Sequence, residues 1–254
     1  MLKSRYLLIL GSFGIFLISI VLTVPANQAY KWGLLPSNVS FQGLSGRLLD
    51  GSAQYANIKN TTLNNVSWSW QPLSLLSGQF LLNWAIDGEE LAGKGQASSS
   101  FLGNKQISNT ALTFKAEKLN PYLPKGNTLT GSVALDISSA TFSQQLDSIA
   151  ATAAIESLLV TTTIGEFQIG ATHLVAKGTE AEGFQLQVTD AQDSDRVNII
   201  ADVNQQQLTL SGQVQADSNL AKQTTPLLPL IAKKQGNTWV LSWQGTLPEK
   251  MILK

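Results

Sequence analysis

The sequence predicts a mainly β protein: an antiparallel meander forming a large curved sheet, a half-barrel or a sandwich, preceded by one N-terminal transmembrane helix. Three observations carry this. An uncharged apolar run extends from Tyr6 to Val24. Beyond Pro36, apolar and polar residues alternate with period two, the mark of half-buried strands. Short polar turns separate many of the alternating segments, a spacing that suits hairpins better than helical crossovers.

The apolar run comes first. Residues 1–5 carry Lys3 and Arg5 and read as a cytoplasmic tail. Residues 6–24 follow as the span, with Tyr6, Leu7, Leu8, Ile9, Leu10, Phe13, Ile15, Phe16, Leu17, Ile18, Ile20, Val21, Leu22 and Val24 as its apolar surface. Its nineteen residues make about 28 Å of helix, close to the thickness of a bilayer's hydrocarbon core. "VPA" at Val24–Ala26 would also serve as a signal-peptide cleavage site, but signal-peptide cores are shorter than this run. Residues 25–38 form a linker in which Tyr30 and Trp32 suit the far interface. The basic tail places residues 39–254, the β-rich domain, outside the cytoplasm.

The strands follow in order. Val66, Trp68 and Trp70 alternate with serines, and Phe80, Leu82, Trp84 and Ile86 form the next set. Leu129, Val133, Leu135 and Ile137 repeat the pattern, then Phe184, Leu186 and Val188, then Val197, Ile199 and Ala201. Leu208, Leu210, Val214 and Ala216 precede the last set, Trp239, Leu241 and Trp243. "DGEE" at 87–90, "AQDSD" at 191–195 and "NQQQ" at 204–207 supply turns. "TPLLPLIAKK" at 225–234 has the proline and terminal lysines of a short helix. The Ala-rich stretch 144–159 suits helix or strand, and a boundary between two sheet halves is placed near 144–160. "LSGRL" (44–48), "LTGSV" (129–133) and "LSGQV" (210–214) share an apolar-x-Gly-x-apolar form, a weak echo of duplicated sheet units.

Composition narrows the function classes. The formal net charge is zero, which leaves no basic surface for nucleic acid. The chain has no Cys, so disulfides, thiolate zinc sites and thiol catalysis are excluded. His173 is the only histidine, in the strand-like "GATHLVA", without a G-x-S-x-G serine to serve. Asp193–Asp195 and the "DGEE" carboxylates read as turn chemistry, and no phosphate-binding loop occurs. The expectation is a protein without catalytic residues, cofactor or metal.

The densest signal is "VSWSWQPLSLLSGQFLLNW" at 66–84, which holds three of the six tryptophans. Trp68 and Trp70 share one strand face. Pro72 ends that strand, and Trp84 lies on the next. Burial as core is favoured over an exposed aromatic patch.

With "GLSGRLLDGSA" (43–53), "LNNVSWSWQPLSLLSG" (63–78), "IGEF" (164–167) and "WVLSWQGTLP" (239–248) in that order behind the anchor, the chain resembles the type II secretion system protein N (GspN) family. The positions that carry the resemblance are Leu44, Gly46, Gly51, Trp68, Trp70, Pro72, Gly78, Trp84, Trp243 and Gly245. The resemblance implies a single-pass inner-membrane protein with a periplasmic body. It implies a non-enzymatic accessory role in exporting folded proteins across the outer membrane of Gram-negative bacteria, with other secretion subunits as partners. The alternative is an envelope protein of AsmA-like type that binds or carries lipid in an apolar sheet groove. A continuous groove favours that alternative and a packed sandwich counts against it.

Overall fold

A computed structural model describes residues 23–35, 38–59, 61–163, 165–191, 196–204, 207–218, 221–222 and 228–246. The expected transmembrane helix lies outside these residues except for Thr23 and Val24. No helix among the described residues is long and apolar enough to cross a membrane. The chain divides into two compact units between Glu89 and Glu90.

The first unit opens with a short helix, Ala26–Lys31, whose Ala26 and Ala29 are fully buried. Five strands follow: β1 (Val39–Gln42), β2 (Ser45–Gly46), β3 (Asp50–Ile58), β4 (Thr61–Gln71) and β5 (Gln79–Asp87). A 3-10 helix, η1 (Pro72–Ser77), joins β4 to β5. β3, β4 and β5 form an antiparallel meander. β1 and β2 lie one after the other along the free edge of β3, so the edge is one strand interrupted at Gly43 and Leu44. Gly43 turns there with φ +65°.

The second unit runs from β6 (Leu91–Ser100) and β7 (Lys105–Lys115) through the 3-10 helix η2 (Ala116–Tyr122) to two long strands. These are β8 (Thr128–Phe142) and β9 (Leu146–Thr162). β10 (Gly165–Ile169), β11 (Thr172–Thr179), β12 (Gly183–Asp190), β13 (Val197–Asn204) and β14 (Gln207–Gln215) continue the meander. A helical turn at Leu228–Ile231, β15 (Ala232–Gln235) and β16 (Thr238–Thr246) complete it. The order is β6-β7-β8-β9-β11-β12-β13-β14-β16-β15, antiparallel throughout, with β10 beside β11 along the same edge of β9. The predicted antiparallel β architecture is what both units have. Among the described residues neither unit contains a second sheet, so neither is a sandwich.

Two expectations resolve differently from helix propensity. Residues 146–162, Ala-rich and undecided from sequence, are strand β9. Pairing with β8 on one side and with β10 and β11 on the other satisfies its backbone twice over, which outweighs the modest helix preference of Ala and Leu. The helix expected at 225–234 is confined to Leu228–Ile231; Thr225–Leu227 lie outside the described residues. From Ala232 the chain becomes edge strand β15, and Lys234 sits 5.9 Å over the Trp239 ring. Lysine on an exposed edge discourages pairing with other chains.

With one sheet per unit, the apolar faces are covered locally. In the second unit η2 sets fully buried Ala116 against Val133 and Leu158. Asn120 locks η2 onto β8: its Oδ1 accepts from the Leu129 amide at 2.7 Å and its Nδ2 donates to the Leu129 carbonyl at 3.2 Å. Farther along, Ala221 and Leu228 cover Val197, Val214 and Leu241.

Candidate functional site

Four of the residues that carry the family resemblance lie in a single row across the first unit. Gly46 on β2 pairs with Gly51 on β3, Gly51 with Trp68 on β4, and Trp68 with Trp84 on β5. Both glycines are sterically required. A Cβ on Gly46 would lie 2.6 Å from the Asp50 carbonyl oxygen, and one on Gly51 would lie 2.6 Å from Trp68 Cζ2. Trp68 therefore lies over a strand that has no side chain beneath it. Its Nε1–H donates to the Leu48 carbonyl at 2.8 Å, which satisfies the ring's one polar atom.

Trp68 and Trp84 of the row line an apolar groove of about 430 Å³. Val39 and Phe41 of β1, Ala56 and Ile58 of β3, Leu63, Val66, Trp68 and Trp70 of β4, and Leu82 and Trp84 of β5 line it, with Leu34, Leu35, Leu48 and Leu49 from the preceding segments. Ser67 alone among the described lining residues lacks an apolar side chain. The volume is within the about 300–1,000 Å³ of small-molecule sites. Tyr30 meets Phe41 edge-on with centroids 5.9 Å apart, Phe41 meets Trp68 at 6.0 Å, and Trp70 stacks on Phe80 at 5.7 Å.

Leu63 joins the groove because of Asn65. Strict alternation from Val66, Trp68 and Trp70 would turn Leu63 to the other face. Asn65 has φ +47°, a left-handed conformation that Asn tolerates, and the parity of β4 changes across it. Its Nδ2 donates to the Asp87 carbonyl at 3.0 Å, holding the irregularity against β5.

The tryptophans are half-buried. This differs from the closed core expected of them, because among the described residues no second sheet of the unit covers their face. Leu44 is half-buried beside the row; Pro72 opens η1 and Gly78 closes it in the left-handed conformation, φ +77°. Trp243 and Gly245 lie on β16 of the second unit, where the indole packs over Gly245. They belong to no part of the groove.

The remaining candidates are placed as follows. His173 is an exposed residue of β11, and its carbonyl accepts from the Thr189 hydroxyl at 3.5 Å. Asp193–Asp195 lie outside the described residues. Of the "DGEE" carboxylates, Glu90 pairs with Lys118. The hydrogen bond from Lys118 and then its charge hold the Glu90 carboxyl below the ordinary value. Among the described residues no three His, Asp or Glu side chains converge in the manner of a metal site.

Sheet and groove together define a class: an antiparallel open-sheet protein with an apolar groove on its first unit. Within that class, the chain belongs to the type II secretion system protein N family, whose model matches residues 37–241. The matched stretch contains the row of Gly46, Gly51, Trp68 and Trp84 and ends before Trp243 and Gly245. No curated protein and no solved structure matches significantly. Membership carries an accessory role in type II secretion.

Proposed function

We propose that the protein is a non-enzymatic, inner-membrane-anchored accessory subunit of the type II secretion machinery that contributes to export of folded proteins across the outer membrane. The observation that carries this reading is the family match, which runs through both units. The geometry supports it in two ways. The apolar run 6–24 would hold the body at the periplasmic face, with the basic tail inside. Val24 is 7% exposed, and its carbonyl accepts from the Leu48 amide at 2.8 Å, so the anchor would pass into the first unit without slack. β1 and β2, which pair only with β3 among the described residues, offer a short edge to which a strand of another secretion subunit would add.

The test is a mild-detergent pull-down of the full-length protein from its native envelope, with intact-mass analysis of the chain. Enrichment of type II secretion inner-membrane subunits supports the reading. Their absence, with unaltered protein export in a deletion strain, overturns it. A mature chain starting at Asn27 overturns the anchor.

A further inference from the structure

We infer that the groove of the first unit is a binding site for a phospholipid acyl chain, entered from the bilayer at the η1 end of the sheet. The inference rests on reading residues 6–24 as a membrane anchor, and adds a ligand that neither the fold nor the family match assigns.

Register places Val24 and one end of the groove together. β3 begins at Asp50, opposite Ser69, so Leu48 and Leu49 lie at the end of the sheet where β4 runs into η1. The Trp70 amide donates to the Leu49 carbonyl at 2.6 Å. Val24 is bound to Leu48, and Pro25 bridges Arg47. Val24, the last residue of the expected anchor, therefore lies at the end of the unit that carries η1. Leu48, Leu49, Trp70 and Leu82 line the groove there, and Ile58 and Leu63 line it at the other end.

η1 itself exposes apolar surface at this end. Leu73 is 79% exposed and Leu76 88%. Three residues apart on a 3-10 helix, they share one face. The loop is well held: the Ser74 hydroxyl, with one proton to donate, lies 2.7 Å from the Gln71 carbonyl and 2.9 Å from the Gln79 carbonyl, and accepts from the Leu81 amide at 3.1 Å. A loop pinned by its serine with both leucines outward suits contact with a lipid surface. Trp32 and Leu34, just beyond the entry point, are exposed as well.

The wall chemistry selects the occupant. The groove is a sheet face whose backbone groups are spent on β1, β3, β4 and β5 pairing, and whose Trp68 N–H is already bonded. An extended peptide lying in it would leave its own amides without partners. An alkyl chain has none to satisfy. From Leu63 to Trp70 the wall is about 23 Å long. One acyl chain fills half of the about 30 Å hydrocarbon core, about 15 Å, and fits within it.

The full-length protein is reconstituted in vesicles of phosphatidylethanolamine and phosphatidylglycerol containing a phospholipid with a diazirine near the acyl terminus. Labelled peptides are mapped by mass spectrometry. Labelling of β1, β3 and β4 is expected. Val66→Glu puts a carboxylate on the half-buried wall about 13 Å from Trp70, within reach of the acyl chain. It lowers that labelling at least about tenfold, since an unpaired charge among apolar groups costs more than the 1.4 kcal/mol of a tenfold change. Leu82→Glu, beside Trp70 at the entry, is the second groove variant, with circular dichroism confirming that each variant keeps its strands. Leu73→Ser with Leu76→Ser also lowers it, whereas Leu102→Ser, at an exposed turn of the second unit, leaves it unchanged. Label confined to residues 6–24 overturns the lipid site while the anchor stands. Groove labelling in a chain that begins at Asn27 removes the anchor and keeps the site. A protein adduct at a photoreactive residue placed at position 63, with no lipid label, overturns the inference in favour of a partner helix.

Discussion

The Trp68 indole lies directly over Gly51 on the neighbouring strand, and its Nε1–H reaches the Leu48 carbonyl at 2.8 Å. Ring and glycine are two halves of one contact, seventeen residues apart in sequence. A methyl group at Gly51 would lie 2.6 Å from Cζ2 of the ring and 2.6 Å from the Arg47 carbonyl oxygen. Gly51→Ala is expected to cost about 1–3 kcal/mol, the range of core overpacking. In a Trp68→Ala background the cost falls but does not vanish, because the Arg47 oxygen remains. A double-mutant cycle by urea unfolding in detergent measures the coupling. Additive single effects would show that the ring does not rest on Gly51.

Trp84 stands opposite Trp68 on β5 and is half-buried. Trp84→Ala is expected to cost about 2 kcal/mol, less than the about 3–5 kcal/mol of a fully enclosed tryptophan. A loss at the upper end of that range would show that the groove face is covered in the folded protein. Thermal melts of the full-length chain give the comparison.

Much of this arrangement is legible in the sequence, and the part that is not has a physical cause. Period-two alternation marks β4, β5, β8, β12, β13, β14 and β16 because a strand's side-chain period is two. It cannot foresee Asn65, one left-handed residue that brings Leu63 to the face of Val66 and Trp68. Nor does it foresee the pairing of Gly46, Gly51, Trp68 and Trp84, since register between strands depends on partners and turns. Whether the tryptophan face is a core or a groove depends on what covers it, and no residue of β4 encodes that. The Ala-rich β9 is undecided from sequence for the same reason, because its strand state comes from the strands on its two sides.

Glu90 and Lys118 give a prediction about pH. Lys118 holds the Glu90 carboxyl below its ordinary value of 4.5. A depressed carboxylate contributes stability that is fully present above the unfolded value and is lost as pH falls through the lower, folded value. The contribution is therefore intact at neutral pH and disappears only in acid. The pair is exposed, so added salt weakens it. Lys118→Ala is expected to return the Glu90 titration upward toward 4.5 with no change in the strands. Carbon-detected NMR of the Glu90 side chain reads the shift directly. A titration that stays put would mean that Lys118 is not its partner in solution.

The apolar-x-Gly-x-apolar echoes separate into two kinds, and the last prediction follows from the difference. Gly131 and Gly212 lie inside strands with φ +149° and +148°. Each precedes by two residues a buried valine of a core cluster, Val133 and Val214. Gly46 instead sits at φ +76° in the two-residue strand β2. A Cβ on Gly212 would strike the Asn198 carbonyl oxygen and lie 2.8 Å from the Ile199 Cα, both on the paired strand. Gly212→Ala therefore combines backbone strain of about 1–3 kcal/mol with a clash that β13 must yield to. Gly236, in the β15–β16 turn at φ +59°, has nothing within 4 Å of its would-be Cβ. Gly236→Ala is expected to cost only the left-handed penalty, about 1–2 kcal/mol. Hydrogen exchange reports the location as well as the size of the effect: Gly212→Ala should loosen the amides of β13 and β14, and Gly236→Ala only those of its own turn. Equal costs with identical exchange patterns would mean that β13 does not approach Gly212 as closely as the register requires.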